Sequence, residues 1–233
     1  MKSIRTAQGF TLVEIAIVLV IIGLLLGGIL KGQEMITQAK IKNVIADFSG
    51  ISAAYHGYVD RYKKIPGDDP CAGGTVLVGN CGTTTGRWTG ATAGDGNGQV
   101  NGKYNVAGAS TAESRLWWDH LRRAGFVSGV GDQQPFNALS GMIGVETGDG
   151  TGSATPAALK DASGNGFVGI IICSANLPDK VAIAADTQMD DGVPNAGSVR
   201  GQAQTTPNPD ILATAAGAYQ ETGTNVYTIC RAL

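Results

Sequence analysis

The sequence predicts an α+β fold, in which a long amino-terminal helix packs on a small antiparallel β-sheet with Gly-rich loops. The first observation is a nearly continuous apolar run from Phe10 to Leu30. The second is a series of apolar residues from Met35 to Tyr62, largely at helical spacings of three and four. The third is a set of short runs rich in Ile and Val, bounded by Gly, Asn and Asp, later in the chain.

The apolar run, residues 10–30, is predicted to be the transmembrane half of a stem helix. At about 1.5 Å per residue it makes a helix of roughly 30 Å, which matches the hydrocarbon thickness of a bilayer. Lys2 and Arg5 precede it without an acidic residue, and this charge bias holds the amino terminus in the cytoplasm. We therefore expect a single-pass protein with the rest of the chain outside the cytoplasm.

Residues 31–64 are predicted to form the amphipathic half of the stem helix, which ends before Pro66. Residues 65–233 then form a globular head of ordinary domain size. Its predicted elements are short helices at 113–124 and 177–189 and strands at 141–145, 166–173 and 226–230. Trp117 and Trp118 are adjacent in the first short helix, so we expect one in the core and the other at the surface or against a neighbour.

The overall charge excludes some classes of partner. The formal net charge is −2 and no basic patch stands out, so we predict no nucleic-acid partner.

His56 and His120 lie near no Ser or Cys in a recognisable nucleophile motif, and the sequence contains no phosphate-binding P-loop. The sequence therefore predicts a protein that is not an enzyme.

The four cysteines indicate an oxidising compartment, which agrees with a head outside the cytoplasm. They are Cys71, Cys81, Cys173 and Cys230, and three pairings are possible. Closure of the short Gly-rich loop favours Cys71 with Cys81, which leaves Cys173 to pair with Cys230. Zinc is the alternative, but it is disfavoured because no Cys-x-x-Cys pair is present.

One loop carries a weak calcium signal, and no other cofactor is expected. Asp95 and Asn97 place oxygen-bearing side chains at alternate positions, as at the start of a calcium-binding loop. The rest of that pattern is absent, since Val106 stands where the twelfth-position Glu would be. A Gly/Asp/Asn turn explains the same residues without an ion, so both interpretations stay open.

Glu14 is a charged residue within the apolar run, and its presence in a membrane segment requires an explanation. A carboxylate about one turn into a membrane segment costs roughly 2.5–3.5 kcal/mol, so it calls for a partner or a function. Cleavage between Gly9 and Phe10 would create a positive α-amino group at a similar depth. Glu14 of one copy could then neutralise Phe10 of the next.

The stretch from Gly9 to Glu14 (Gly-Phe-Thr-Leu-Val-Glu), with the apolar tail, resembles the class III signal of type IV pilins and of type II secretion pseudopilins. This resemblance implies that residues 1–9 are a leader, which prepilin peptidase removes after Gly9 before it methylates Phe10. It also implies a pilin-like head, docking of subunits through Glu14, and an inner-membrane assembly platform as a partner. The precursor would lie in the bacterial inner membrane with its head in the periplasm, and the assembled subunit at the cell surface.

The function expected from the residues and the resemblance together is that of a structural subunit of a type IV pilus-like filament, polymerised through its amino-terminal helix. A minor pseudopilin of a type II secretion or DNA-uptake system is the alternative within the same class. From another class, the chain could be a membrane-anchored protein whose head binds a surface, with the stem as a tether.

Overall fold

The computed structural model describes residues 11–73, 86–108, 111–149 and 159–233. Its elements, in chain order, are α1 (Leu12–Tyr62), a 3-10 turn (Gly86–Trp88), α2 (Glu113–Ala124), β1 (Ile143–Asp149), β2 (Val168–Pro178), α3 (Asp179–Met189), β3 (Val199–Ala203) and β4 (Val226–Ala232). The chain divides into two compact units, and the division falls inside α1, between Ala39 and Lys40.

The part of α1 in the first unit has no buried residue. Its large apolar side chains are exposed from Leu12 to Ile36, and an 18-residue window reaches a mean hydropathy of 2.8. Among the described residues, α1 is the one helix that is long and apolar enough to cross a membrane. These properties are consistent with membrane anchoring. The predicted boundaries at residues 9, 30 and 64 stay predictions.

The part of α1 in the second unit packs into the core of that unit. Its buried residues recur at spacings of three and four, which places them in one stripe along the helix. They are Ile41, Val44, Phe48, Ile51, Ala54 and Tyr58. This stripe shares a hydrophobic cluster with side chains of the sheet and of α2. The predicted α+β fold, with a helix packed on a small antiparallel sheet, is therefore confirmed.

The sheet has four antiparallel strands in the order β1-β2-β4-β3. The predicted strands correspond to β1, β2 and β4, whereas β3 was not predicted. One sheet face contributes Val145, Ile172 and Ile229 to the cluster shared with α1. The opposite face contributes Ile171, Cys173 and Cys230 to a second cluster, which loop residues such as Tyr104 and Leu159 cover.

Cys173 and Cys230 face each other across β2 and β4 and form a disulfide with a Cα–Cα distance of 4.0 Å. This bond agrees with the second bridge expected from the sequence. The predicted pairing of Cys71 with Cys81 lies outside the described residues, because Cys81 is not among them.

The predicted helix at 113–124 matches α2, but the expectation for its two tryptophans is wrong. Trp117 and Trp118 are both fully buried, with their ring centroids 4.9 Å apart in an edge-to-face arrangement. The reason is that α2 is enclosed on nearly every side: each residue from Glu113 to Leu121 is buried. Adjacent side chains on such a helix can point in different directions and still both lie in the core.

Candidate functional site

The amino-terminal end of α1 is closed by a reciprocal cap between Thr11 and Glu14. The main-chain N–H and the hydroxyl of Thr11 donate to Glu14 Oε2, at 2.8 and 2.9 Å. The N–H of Glu14 donates in return to Thr11 Oγ1, at 3.3 Å. This is the capping-box arrangement, in which two otherwise unpaired N–H groups at a helix start are satisfied. Gly9 and Phe10, the predicted processing residues, lie outside the described residues.

The cap fixes where the Glu14 carboxylate lies. It is held against the main chain of Thr11, the second residue after the predicted cleavage position, and at the positive end of the helix dipole. Glu14 was predicted as an assembly residue, but Thr11 as its partner was missed. The Thr-x-x-Glu spacing before an apolar run is the sequence signal that could have found it.

The exposed part of α1 also carries four glycines, Gly23, Gly27, Gly28 and Gly32. Beyond the neighbouring residues and backbone of α1 itself, a Cβ atom added at any of them would meet no described atom within 4 Å. Contacts within the described chain therefore do not explain these glycines. Small residues in membrane helices permit another helix to approach closely, whereas glycines also weaken a helix locally.

The predicted calcium residues, Asp95 and Asn97, meet two further carboxylates. Asp95 Oδ1 accepts the N–H of Asn97, which is a turn closed by a side chain. Asp68 Oδ1 accepts the same N–H at 2.9 Å, and Glu113 Oε1 accepts the N–H of Asp95 at 2.8 Å. Oxygen atoms of Asp68, Asp95 and Glu113 all lie within 4.8 Å of one another. Asp68 and Glu113 were not predicted as members of this cluster.

The pKa values of two carboxyl groups in this cluster are raised because they are buried close to other acidic residues. Burial raises the pKa of Asp68, although main-chain N–H groups of the loop oppose the shift. Burial also raises the pKa of Glu113, and the nearby charges of Asp95 and Asp68 add to the shift. The carboxylates thus serve as acceptors that hold the loop at residues 94–101, at some electrostatic cost.

We expect Glu113→Gln to lower the free energy of unfolding by about 1–3 kcal/mol, because the amide loses one of two acceptors. Both oxygens are used in the wild type, by the N–H groups of Asp95 and Asn101. Urea unfolding of the full chain in detergent micelles measures the change. Glu221→Gln is the matched control, since Glu221 is exposed and 3.6 Å from Lys180, and it should change stability by less than about 0.5 kcal/mol. Equal stability of the two variants would contradict the role given to Glu113.

Calcium binding at the cluster of Asp68, Asp95 and Glu113 stays a prediction, which the same variants can test. Thermal unfolding of the wild type is followed while calcium is added. An increase in Tm that Glu113→Gln abolishes would assign an ion to the cluster. An unchanged Tm would leave the cluster as a loop held by main-chain hydrogen bonds.

The two histidines lie in different surroundings. His56 is exposed on α1, whereas His120 is fully buried on α2. His120 Nδ1 accepts the N–H of Gly67 at 2.8 Å, so Nε2 carries the proton and donates to the carbonyl of Thr92, also at 2.8 Å. The ring is nearly parallel to Tyr58 of α1, with centroids 6.5 Å apart. His120 thus joins α2 to two loops in its neutral form.

The burial of His120 in its neutral form predicts that the fold is less stable at acidic pH. Burial lowers the pKa of His120 below its ordinary value of 6.5, because the charged form of the ring would be removed from water. Protonation would also turn Nδ1 into a donor facing the N–H of Gly67. The stabilising contribution is therefore present above about 6.5 and declines as the pH falls, by up to about 1.4 kcal/mol per pH unit. We expect the stability difference between wild type and His120→Gln to shrink from pH 7 to pH 5. His56→Gln, at a histidine that is exposed, is the control for the substitution itself. A constant difference for His120→Gln would contradict the prediction.

Comparison with known proteins adds one match. Residues 4–30 match the family model described as the prokaryotic N-terminal methylation motif. No curated protein and no solved structure matches the chain. The motif is the signature of type IV pilin and pseudopilin signals, whose family is structural and not enzymatic, so the resemblance stated from the sequence is confirmed. The chain therefore carries, at the start of an apolar helix consistent with membrane anchoring, the methylation motif of a type IV pilin-like or pseudopilin precursor.

Proposed function

We propose that this chain is a structural subunit of a type IV pilus-like filament, cut by prepilin peptidase between Gly9 and Phe10, methylated on Phe10 and polymerised through its amino-terminal helix. The single observation that carries the proposal is the start of α1. There the matched motif contains Glu14, and exposed apolar residues follow it.

The electrostatic part of the proposal concerns Glu14. Thr11 satisfies two hydrogen bonds of the carboxylate but leaves its negative charge unneutralised. In a membrane this charge costs about 2.5–3.5 kcal/mol, and a positive α-amino group on Phe10 of a neighbouring copy would offset it. The pairing would also fix the axial offset between neighbouring subunits, because each copy has one acid and one new amine.

The packing part of the proposal concerns the exposed apolar residues of α1. No described residue of this chain covers them, so they face lipid before assembly and other stems after it. Membrane helices associate through close packing, which small residues such as Gly27 and Gly28 permit. Burial of stem against stem would then supply most of the energy that holds the filament together.

The proposed function implies a location for the protein and a set of partners. The precursor lies in the inner membrane with one span, its leader in the cytoplasm and its head in the periplasm. Prepilin peptidase, other pilin or pseudopilin subunits and an inner-membrane assembly platform are its partners. A separate cytoplasmic motor supplies the energy of assembly. A minor pseudopilin would use the same stem, and abundance in sheared filaments separates the two roles.

Mass spectrometry of the mature amino terminus, from membranes of the native host, tests the proposal. We expect the chain to begin at Phe10 and to carry one additional methyl group. A Gly9→Val variant is the matched control, because a branched side chain before the cleaved bond should block processing and retain residues 1–9. A wild-type chain that begins at Met1 would instead leave a tethered domain, and filament assembly through Phe10 would be excluded.

A further inference from the structure

One buried carboxyl group in the head has an oxygen without a partner. Glu146 of β1 is 1% exposed, and its Oε2 accepts the N–H of Tyr104 at 2.9 Å. Its Oε1 contacts no hydrogen-bond donor or acceptor in the part of the chain that the structure describes. The other such buried side-chain atoms there belong to Trp117 and Trp118, which do not titrate. An unpartnered buried oxygen on a titratable group requires an explanation.

Glu146 lies on the sheet face that is turned away from α1. Its cross-strand partner is Ile171 of β2, which belongs to the cluster that contains the Cys173–Cys230 disulfide. The main chain of Tyr104 lies flat against β1 here, because a side chain at Gly144 would collide with the Tyr104 carbonyl group. The first loop segment is thus in direct contact with β1 two residues before Glu146, and Glu146 itself is almost completely shielded from solvent.

Two loop segments form the cover over this face, residues 103–106 and 208–212. They are bound to each other: the Tyr104 hydroxyl donates to the Pro209 carbonyl at 2.7 Å, and Asn105 Nδ2 donates to the Asn208 carbonyl at 2.9 Å. Lys103 and Asp210 form an ion pair between the same segments. Glu146 is the acid that holds the first segment to the sheet.

The charged groups that act on Glu146 come from the cover itself. Burial raises the pKa of Glu146 to about 7; the hydrogen bond from Tyr104 and the Lys103 ammonium oppose this shift, whereas the Asp210 carboxylate adds to it. Tyr104 stays neutral, since burial raises the pKa of its phenol as well. The cross-strand neighbour on β2, Ile171, carries no charge. Glu146 is therefore the group under the cover whose charge changes near neutral pH.

We propose that Glu146 is a proton-operated latch: when protonated it keeps the cover closed over the outer sheet face, and when ionised it loosens the cover. An ionised Glu146 would hold a buried charge whose Oε1 has no partner among the described residues, which is costly. Hydration of the carboxylate is the change that removes this cost, and it requires residues 103–106 to move away from β1. The latch does not depend on the proposed filament function, because it rests on contacts within the second unit.

The sign of the pH response follows from the raised pKa. Opening returns the carboxyl to its ordinary value of 4.5, so the closed state binds the proton more tightly than the open state. The closed state is therefore most stable at acidic pH and loses stability as the pH rises through about 7. Between pH 6 and pH 8 the opening equilibrium should increase about tenfold.

Hydrogen exchange of the full chain in detergent micelles tests the latch, with rates corrected for the intrinsic effect of pH. We expect protection of the amides at 103–106 to fall about tenfold from pH 6 to pH 8, while the amides of α1 from Ile41 to Ile51, which pack on the other sheet face, keep theirs. Glu146→Gln should remove this pH dependence. Asp210→Asn, which breaks the ion pair with Lys103 but leaves Glu146 in place, should lower protection at both pH values and retain the dependence.

Two results would overturn the latch. One is equal protection of residues 103–106 at pH 6 and pH 8 in the wild type, and the other is a fall that persists in Glu146→Gln. Should Glu146→Gln fail to fold, NMR titration of the wild-type side-chain carboxyl carbon decides instead. A midpoint near neutral pH supports the latch, and a midpoint near the ordinary value of 4.5 removes it.

Discussion

Glu14→Ala is expected to abolish incorporation of the protein into filaments while membrane insertion and removal of the leader remain largely intact. The variant keeps the apolar run and the predicted Gly9–Phe10 cleavage position, and it removes an unfavourable charge from the membrane segment. What it loses is the group that would neutralise the Phe10 amine of the adjoining copy. Glu14→Lys should be at least as defective, because it places two positive groups together.

The measurement is the amount of protein in sheared filaments relative to the amount in the membrane. Glu34→Gln is the matched control: Glu34 lies on the same helix, is exposed and, in the described part of the chain, pairs with Lys31, so the variant should assemble normally. Thr11→Val separates capping from charge, because it removes the side-chain cap of Glu14 but keeps the acid. Assembly of Glu14→Ala at wild-type yield would exclude the pairing of Glu14 with the new amine.

Replacement of both Cys173 and Cys230 by Ala is expected to lower the free energy of unfolding of the head by about 4 kcal/mol. The disulfide joins positions 57 residues apart, and its loss releases that chain length in the unfolded state. The bond is also completely buried in the second cluster, so the variant loses packing as well. A loss of this size is a large fraction of the stability of an ordinary domain.

Urea unfolding of the full chain in detergent micelles measures this loss. Ile171→Val is the matched control, since Ile171 lies on β2 in the same cluster and the change removes one buried methylene, at about 0.5–1.5 kcal/mol. If the double cysteine variant lost no more stability than Ile171→Val, the disulfide would not be a main constraint on the head.

Helices were predicted from the sequence more accurately than strands, for a physical reason. α2 is fixed by local signals, namely its apolar spacing and Gly125, whose left-handed conformation (φ 84°) lets its N–H reach the Arg122 and Leu121 carbonyls. β3 reads Val-Arg-Gly-Gln-Ala, which carries no strand signal of its own. It forms a strand because it pairs with β4, and the five residues taken alone carry no signal for that pairing.

The residues of the candidate sites also divide into those that the sequence predicts and those that only the folded chain brings together. Glu14 could be predicted because an acid in an apolar run is unusual in any environment. The partners of Asp95 could not, because Glu113 follows it by 18 residues and Asp68 lies 29 residues before Asn97, so only the folded loops bring them together. The burial of Glu146 was equally hidden, since it depends on loops that cross β1 from elsewhere in the chain.

The position of β4 in the sheet has a consequence for biogenesis. β4 pairs with β2 on one side and β3 on the other, so β3 has no partner strand and the β1–β2 pair lacks its second neighbour until β4 has been synthesised. A ribosome that is still adding residues 200–220 therefore carries a head without its central pairing. The sheet of the head is therefore among the last parts of the described chain to be completed, whatever route the chain takes to its final location.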